Sequence, residues 1–417
     1  MERTLDVYLH RDLVGVYGQD ASGKIYFRYL ESWLEKSTAV SLSHSLPLRK
    51  ERFNRRECSG FFGGILPEQL QRHLVAGNLG ISEHNDFAML ERIGGECAGA
   101  VTLLPMGENL PEESHTYQSL APADFVKLLR TLPLRPLMAG EEGVRLSLAG
   151  AQTKMALHVS KDGIAIPRGG ALSTHIIKPA IAHFPGIVFN EALCMSLATE
   201  IGLQAAKVEI GQAEEITYLQ VKRYDRKESL GADGLVSSQR IHQEDFCQAL
   251  GITSEHKYQS EGGPTLRQSF DLVREVCSLP ALGLNSLLNG VIFNYLIGNY
   301  DAHGKNFSFL YGKAPLRLTR LAPFYDLICT GVYPNLSQRM AMKIGGEADP
   351  SFIFPRHFEK FAEDVKLSIP LVRRLVPELA EKVHSRLPEV ATRYPQAESV
   401  ANFINDRCGQ VIRRFAG

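Results

Sequence analysis

The stretch Gly298-Asn299-Tyr300-Asp301-Ala302-His303-Gly304-Lys305-Asn306-Phe307 joins an apolar run of helical length to a short strand-like one. A polar loop seated between two rigid elements is where reactive side chains are placed. Four residues separate Asp301 from Asn306, the Asp-x-x-x-x-Asn spacing of a phosphoryl-transfer catalytic loop. The chemistry asks for that spacing. The carboxylate takes a hydroxyl proton beside the nucleophile, while the amide turns back to offer a hard oxygen to Mg2+. His303 and Lys305 add two more polar groups to the same loop.

Downstream, Phe324-Tyr325-Asp326-Leu327 follows a strand-like stretch, as the metal-binding Asp of protein kinases does, with Asp-Leu where those enzymes carry Asp-Phe-Gly. Either acid alone reads as a helix or turn cap. Together, in this order, they point to phosphoryl transfer with Asn306 and Asp326 as the metal ligands. Upstream, Lys178 ends the run His175-Ile176-Ile177 and Pro179 stops the pairing, so its ammonium leaves a strand toward nucleotide phosphates. An acid from the following helix should hold it, Glu191 before Glu200. Ahead of Lys178, Ser147-Leu148-Ala149-Gly150-Ala151-Gln152-Thr153-Lys154 is built of small residues, so backbone N–H groups can approach phosphate. It has one glycine where a kinase loop has three. Lys222-Arg223-Tyr224-Asp225-Arg226 follows the strand 218–221, in the place where a segment joining two lobes meets a nucleotide base; a charged strand end is the plainer reading.

Outward from these segments, 5–9, 13–17 and 25–29 alternate as strands. Residues 66–75 and 86–93 carry helical spacing, and 101–105 closes a small sheet. A proline-containing linker is expected over 106–122. Strands follow at 155–159, 164–166, 175–178, 208–210 and 216–221, with a helix from 189 to 201 stopped by Gly202. From about 243 the pattern turns helical, save short strands near 307–311 and 318–321. Three domains are expected: 1–107, β-rich; 108–242, nucleotide-binding; 243–417, helical and catalytic.

With 46 Lys+Arg against 46 Asp+Glu, bulk electrostatic attachment to nucleic acid or membrane is not expected. A local basic cluster, Arg49, Lys50, Arg52, Arg55 and Arg56, reads as a solvated loop. The most apolar run, 284–297, is broken by Asn285, Asn289 and Asn294, so no membrane span is expected. Seven cysteines are scattered without a C-x-x-C pair, as reduced thiols in a cytoplasm are.

Together these segments resemble the HipA family of bacterial serine/threonine kinases, the toxin halves of HipBA-type toxin–antitoxin pairs. The resemblance runs through nearly the whole chain: Pro47-Leu48 and Phe61-Phe62-Gly63-Gly64-Ile65-Leu66-Pro67-Glu68 near the start, the 148–154 loop, Thr174–Lys178, the stretches 242–251 and 258–264, and above all 299–308. It implies an α+β, two-lobed, protein-kinase-like fold with an additional N-terminal β-rich subdomain and a large all-α C-terminal lobe. ATP and Mg2+ are the implied cofactors. Asp301 is the implied base, with His303 and Lys305 completing its loop, Asn306 and Asp326 on the metal, and Lys178 on the phosphates. Ala149, Gly150, Ala151, Gln152, Thr153 and Lys154 form the implied phosphate loop, and Lys222, Arg223 and Tyr224 line the adenine edge. Ser147 matches the family's autophosphorylated serine, whose added charge of about −1.5 to −2 would disturb a site built for phosphates. The implied partners are a HipB-like helix-turn-helix antitoxin, operator DNA through that complex, and glutamyl-tRNA synthetase as protein substrate. Two departures, Thr153 where an acid is often found and Lys222 where Glu often precedes Arg, touch nucleotide contacts rather than the reaction. The rival reading is a degenerate kinase that serves as a DNA- and antitoxin-binding co-repressor.

Overall fold

The computed structural model describes residues 2–416 except 112–115, 142–143, 231–235 and 314–316, so the expected linker over 106–122 lies partly outside the described residues. The chain divides into two compact units. The first gathers Met1–Pro179, Gly211–Glu255 and Leu310–Arg317; the second gathers Ala180–Ile210, His256–Phe309 and Leu318–Gly417.

The first unit opens with the expected sheet. Its five strands lie in the order Phe53–Asn54, Ile25–Tyr29, Asp12–Gln19, Arg3–Leu9 and Val101–Pro105, all antiparallel. Alternation puts Leu5, Val7 and Leu9 on the inner face. Phe62 and Phe87, from the helices Arg55–Gly64 and Asp86–Ile93, bring their rings to 4.3 and 5.9 Å from Tyr17. Each such buried ring is worth roughly 1.5–3 kcal/mol.

The basic cluster is solvated as expected, with Lys50, Arg52, Arg55 and Arg56 exposed and Arg49 half-buried, but it is not all loop. Arg49 lies 3.7 Å over the Phe53 ring and pairs with Glu57, Arg52 lies 4.2 Å over Tyr26, and Arg55 begins a helix. A reciprocal capping box between Asn54 and Glu57 starts that helix, a signal outweighed on reading by its four neighbouring charges.

The second sheet of this unit carries the segments expected to face nucleotide. Five of its strands run in the order Ile216–Lys222, His175–Pro179, Met155–Ser160, Gly163–Pro167 and Tyr117–Ser119. A helix, Pro122–Thr131, packs Phe125 onto Tyr218 at 5.3 Å. It begins at the proline expected to end a linker, since proline suits the first helical turn as well as a loop.

The second unit is mainly helical, as expected, with helices at Ile187–Glu200, Leu266–Val276, Pro280–Leu296, Pro355–Asp364, Ile369–Thr392 and Glu398–Ala416. Among the described residues, Pro280–Ile297 has the length and apolar content to cross a membrane, where none was expected. In the protein it is the unit's core helix: Leu287, Leu288 and every residue from Gly290 to Leu296 are buried, and Asn294 returns its amide to the Gly290 carbonyl at 2.9 Å. All seven cysteines are buried and none forms a disulfide.

Candidate functional site

The expected site residues fall on both units, each of which holds its own share.

In the second unit the core helix ends at Leu296, and Gly298, at φ +71°, turns the chain into the 299–307 loop. The loop is laced to the segment around Asp326. The Asn299 amide donates to Asn294 Oδ1 at 2.7 Å and to the Asp326 carbonyl at 3.2 Å. On the far side, the Tyr325 hydroxyl donates to the Lys305 carbonyl at 2.6 Å and meets Ser308 Oγ at 2.6 Å. The two acid-bearing segments, far apart in sequence, are therefore tied at two points within one unit. Gly290 permits the approach: a Cβ there would fall 2.3 Å from the Phe324 ring.

Within the loop, a 3-10 turn at Gly304–Asn306 brings the amide of Asn306 back to the Asp301 carbonyl at 3.3 Å. With its NH2 so used, the Asn306 Oδ1 is the group left for a cation. The Asp301 side chain is 50% exposed, with Oδ1 accepting from the Tyr258 hydroxyl at 2.8 Å and His303 Nε2 at 4.0 Å from Oδ2. The base expected here must be reachable, and Asp301 is. His303 and Lys305 are buried. Asp326 adopts φ +51°, the left-handed region that costs a non-glycine residue on the order of 1 kcal/mol or more. Strain of that kind is kept where a side chain must point in one direction.

Among the described residues, no three His, Cys, Asp or Glu side chains converge as a metal cage. One carboxylate and one amide oxygen suit Mg2+, which is held by few protein ligands and completes its shell with water and phosphate oxygens. Glu191, the expected partner of Lys178, is buried on the helix Ile187–Glu200; Glu200 pairs with Arg393 at 2.8 Å.

In the first unit, Lys178 sits buried on a strand flanked on both sides, opposite Leu219. The 147–154 loop is folded down onto the N-terminal subdomain. Ser147 Oγ, wholly buried, donates to the Ile65 carbonyl at 2.9 Å. The Glu68 N–H donates to the Gly150 carbonyl at 3.2 Å, Gln71 Nε2 to Thr153 Oγ1 at 3.0 Å, and Lys154 Nζ to the Ala149 carbonyl at 2.8 Å. Gly150 needs to be glycine: it has φ +106°, and a Cβ would fall 2.5 Å from Lys154 Nζ. Ala151 and Gln152 are half-buried.

The 222–226 segment departs from expectation. Lys222 is exposed and pairs with Glu228 at 2.8 Å, and Tyr224 is half-buried. The Arg223 guanidinium does not line a nucleotide edge. It is buried and donates to Asp225, Ser173, Glu96 and the Cys97 carbonyl. Burial pushes the Asp225 carboxyl up, but Arg223 and Arg226 outweigh it and hold that carboxyl well below the usual range. The pairing with Glu96 spans 127 positions, so no local pattern reveals it. Burial, with Lys222 nearby, lowers His175 to about 4. Tyr258 and Tyr325 also escaped notice as site residues; Tyr258 lies in a stretch similar to the HipA family, but nothing near it in sequence marks its bond to Asp301.

Comparison with known proteins covers both units. The HipA N-terminal domain family matches residues 5–104, and the HipA-like C-terminal domain family matches residues 146–389. The "Putative kinase Y4mE" of Sinorhizobium fredii is 46% identical, over 98% of this chain and 97% of that protein. The serine/threonine-protein kinase toxin HipA of Shewanella oneidensis is 28% identical, over 99% of this chain and 95% of that one. The solved complex of Shewanella oneidensis HipA with HipB and its operator DNA contains a chain that superposes with a TM-score of 0.83, at 28% identity, covering 99% of this chain and 96% of that one. The fold is thus the α+β, kinase-like one, with the added N-terminal β-rich subdomain and the helical C-terminal lobe.

Proposed function

The chain belongs to the HipA family of serine/threonine-protein kinase toxins, and from that premise we propose that it transfers the terminal phosphoryl group of ATP to serine or threonine hydroxyls. The observation that carries the proposal is the lacing of the Asp301 loop to the Asp326 segment by Asn299 and Tyr325. Asp301 accepts the proton of the attacking hydroxyl. Asn306 Oδ1 and the Asp326 carboxylate hold the metal. Mg2+, when bound, neutralises charge on the phosphate oxygens. His303 and Lys305 complete the loop. In the first unit, Lys178 contacts the phosphates. The backbone of Ala149 to Lys154 cradles the phosphates. Lys222 and Tyr224 lie along the base, and Arg223 contributes there only its backbone. Catalysis is then positioning and charge stabilisation around a fixed phosphoryl group.

We assign three finer properties on the family resemblance. The protein substrate is glutamyl-tRNA synthetase, modified in the cytoplasm. The partner is a HipB-like helix-turn-helix antitoxin, through which the pair binds operator DNA and represses its own operon. Autophosphorylation falls on Ser147; because that hydroxyl is wholly buried, the loop must leave the Ile65 carbonyl before the serine can react.

The test is phosphate incorporation from radiolabelled ATP with Mg2+, wild type against Asp301→Ala. Loss of a general base should lower the rate by about 10²–10⁴-fold. Equal incorporation by the two proteins rejects the role of Asp301; no incorporation by the wild type favours a co-repressor without phosphotransfer.

A further inference from the structure

Glu96 belongs to the N-terminal subdomain, far in sequence from every segment expected to meet nucleotide, yet three of those segments hang on it. Its backbone flanks the entry to the phosphate loop: the Glu96 carbonyl accepts from the Ser147 N–H at 2.9 Å, and its own N–H donates to the Arg145 carbonyl. Its carboxylate reaches the residue that precedes the lysine strand, accepting from Ser173 Oγ at 2.7 Å and from the Ser173 N–H at 3.2 Å. The same oxygen, Oε1, accepts from Arg223 at 3.3 Å and from Arg226 at 3.0 Å, at the two ends of the segment that follows the strand Ile216–Lys222. Arg223 closes the circuit by donating to Ser173 Oγ at 2.8 Å, while its N–H donates to the Thr174 carbonyl at 2.9 Å.

The cluster is largely buried. The side chains of Arg223 and Arg226 are each 1% exposed, and that of Glu96 is 17% exposed. A buried ion that loses its partner cannot turn to water for another. Glu96 has no substitute either. Among the described residues, three guanidinium groups, Arg223, Arg226 and Arg240, share this interior with the carboxylates of Glu96 and Asp225. Arg240 is held instead by the carbonyls of Gly99, Cys97 and Val101 and by Thr102. Asp225 is already committed to both neighbouring arginines and to the Gly99 N–H at 2.7 Å.

We propose that Glu96 is a positioning residue for nucleotide binding: through one carboxylate oxygen and its own backbone it fixes the relative placement of the phosphate-loop entry, the start of the Lys178 strand and the 223–226 segment. This rests on the kinase reading above, and it makes the N-terminal subdomain part of the nucleotide site's framework. The arrangement is a supporting shell of the kind that holds a binding constellation to within a fraction of an ångström.

The test compares Glu96→Gln, Glu96→Ala and Ser173→Ala with wild type in the full chain. It uses phosphotransfer kinetics and titration with a non-hydrolysable ATP analogue plus Mg2+. The KM for ATP and the analogue's Kd should rise about tenfold in Glu96→Ala. They should rise about threefold in Glu96→Gln, which keeps an acceptor at Oε1, and in Ser173→Ala, which loses one hydroxyl. In all three, kcat at saturating ATP should change less than KM. A merely structural Glu96 would lower the melting temperature and leave KM and Kd at wild-type values, and that result overturns the proposal. Should Glu96→Ala fail to fold, Ser173→Ala decides alone. A wild-type chain that binds the analogue but transfers nothing indicts the kinase reading, and the affinity comparison still judges Glu96; a wild-type chain that binds no nucleotide overturns both.

Discussion

The two units spend their charges differently. In the first, the ionised groups nearest the segments expected to face nucleotide are turned inward: Arg223, Arg226, Asp225 and Glu96 pair with one another in a largely buried cluster. In the second, neutral groups help hold the loop: the Asn294–Asn299 pair, Thr330 Oγ1 receiving the Tyr300 N–H at 2.8 Å, and the Tyr325 hydroxyl. Arg407 supports the loop from behind by donating to the Tyr300 hydroxyl at 2.7 Å. Asp301, the proposed base, stays half-exposed. The contrast separates two tasks. A surface that must keep a fixed shape for a large ligand can use locked ion pairs, since breaking one is costly. A loop that must exchange protons needs its acid reachable, so weaker neutral bonds do the holding.

The sharpest way to break this contrast is Asp225→Ala, which strands two buried guanidinium groups with Glu96 alone. Chemical denaturation should show a loss of about 3–5 kcal/mol; a loss below about 1 kcal/mol, the value of an exposed pair, would mean these charges do not fix the first unit.

A second test concerns a buried acid, Glu244, held by neutral donors. Glu244 accepts from Ser43, from the His44 N–H at 3.0 Å and from Tyr311. Burial pushes its carboxyl up to about 7, against the bonds from Ser43 and Tyr311. The folded chain therefore keeps a proton that the unfolded chain releases near pH 4.5. Stability from this group declines as pH rises from 4.5 to 7, by up to about 3 kcal/mol. His242, which burial lowers to about 4, works the other way, its contribution lost as pH falls from 6.5 toward 4. Subtracting the Glu244→Gln curve from wild type removes the histidine because both proteins share it. The melting temperature of the variant relative to wild type should climb from pH 5 to pH 8, and a flat difference would contradict the assignment.

The smallest effect sharpens the contrast most. Tyr325→Phe removes one hydroxyl from the loop's lacing, worth about 1 kcal/mol. It should lower kcat several-fold and leave the KM for ATP unchanged, the reverse of the pattern expected at Glu96. Steady-state kinetics on the two variants side by side would show whether the units divide binding from chemistry.

What could be read from sequence was what is local. The Asp301–Asn306 spacing, the strands that open the chain, the lysine strand and the helix stopped by Gly202 each declare themselves within a few residues, and each stands where expected. Two helices were hidden by their first residues. Arg55–Gly64 begins in a run of arginines, and Pro122–Thr131 begins at a proline that serves a loop equally well. The inward fate of Arg223 was hidden for a deeper reason: whether a charge is solvated or spent depends on a partner that only the fold delivers, here Glu96 and Ser173. Tyr258 on Asp301, 43 positions apart, is the same case.

The division of the chain bears on how it is made. The polypeptide passes from one unit to the other five times, and the first unit is not complete until Leu310–Arg317 have been added. At ~5–20 residues per second, the nascent chain spends roughly tens of seconds on the ribosome before that last piece of the β-rich unit exists, while the helical unit waits for the final residues. A premature stop anywhere upstream of residue 310 leaves neither unit whole.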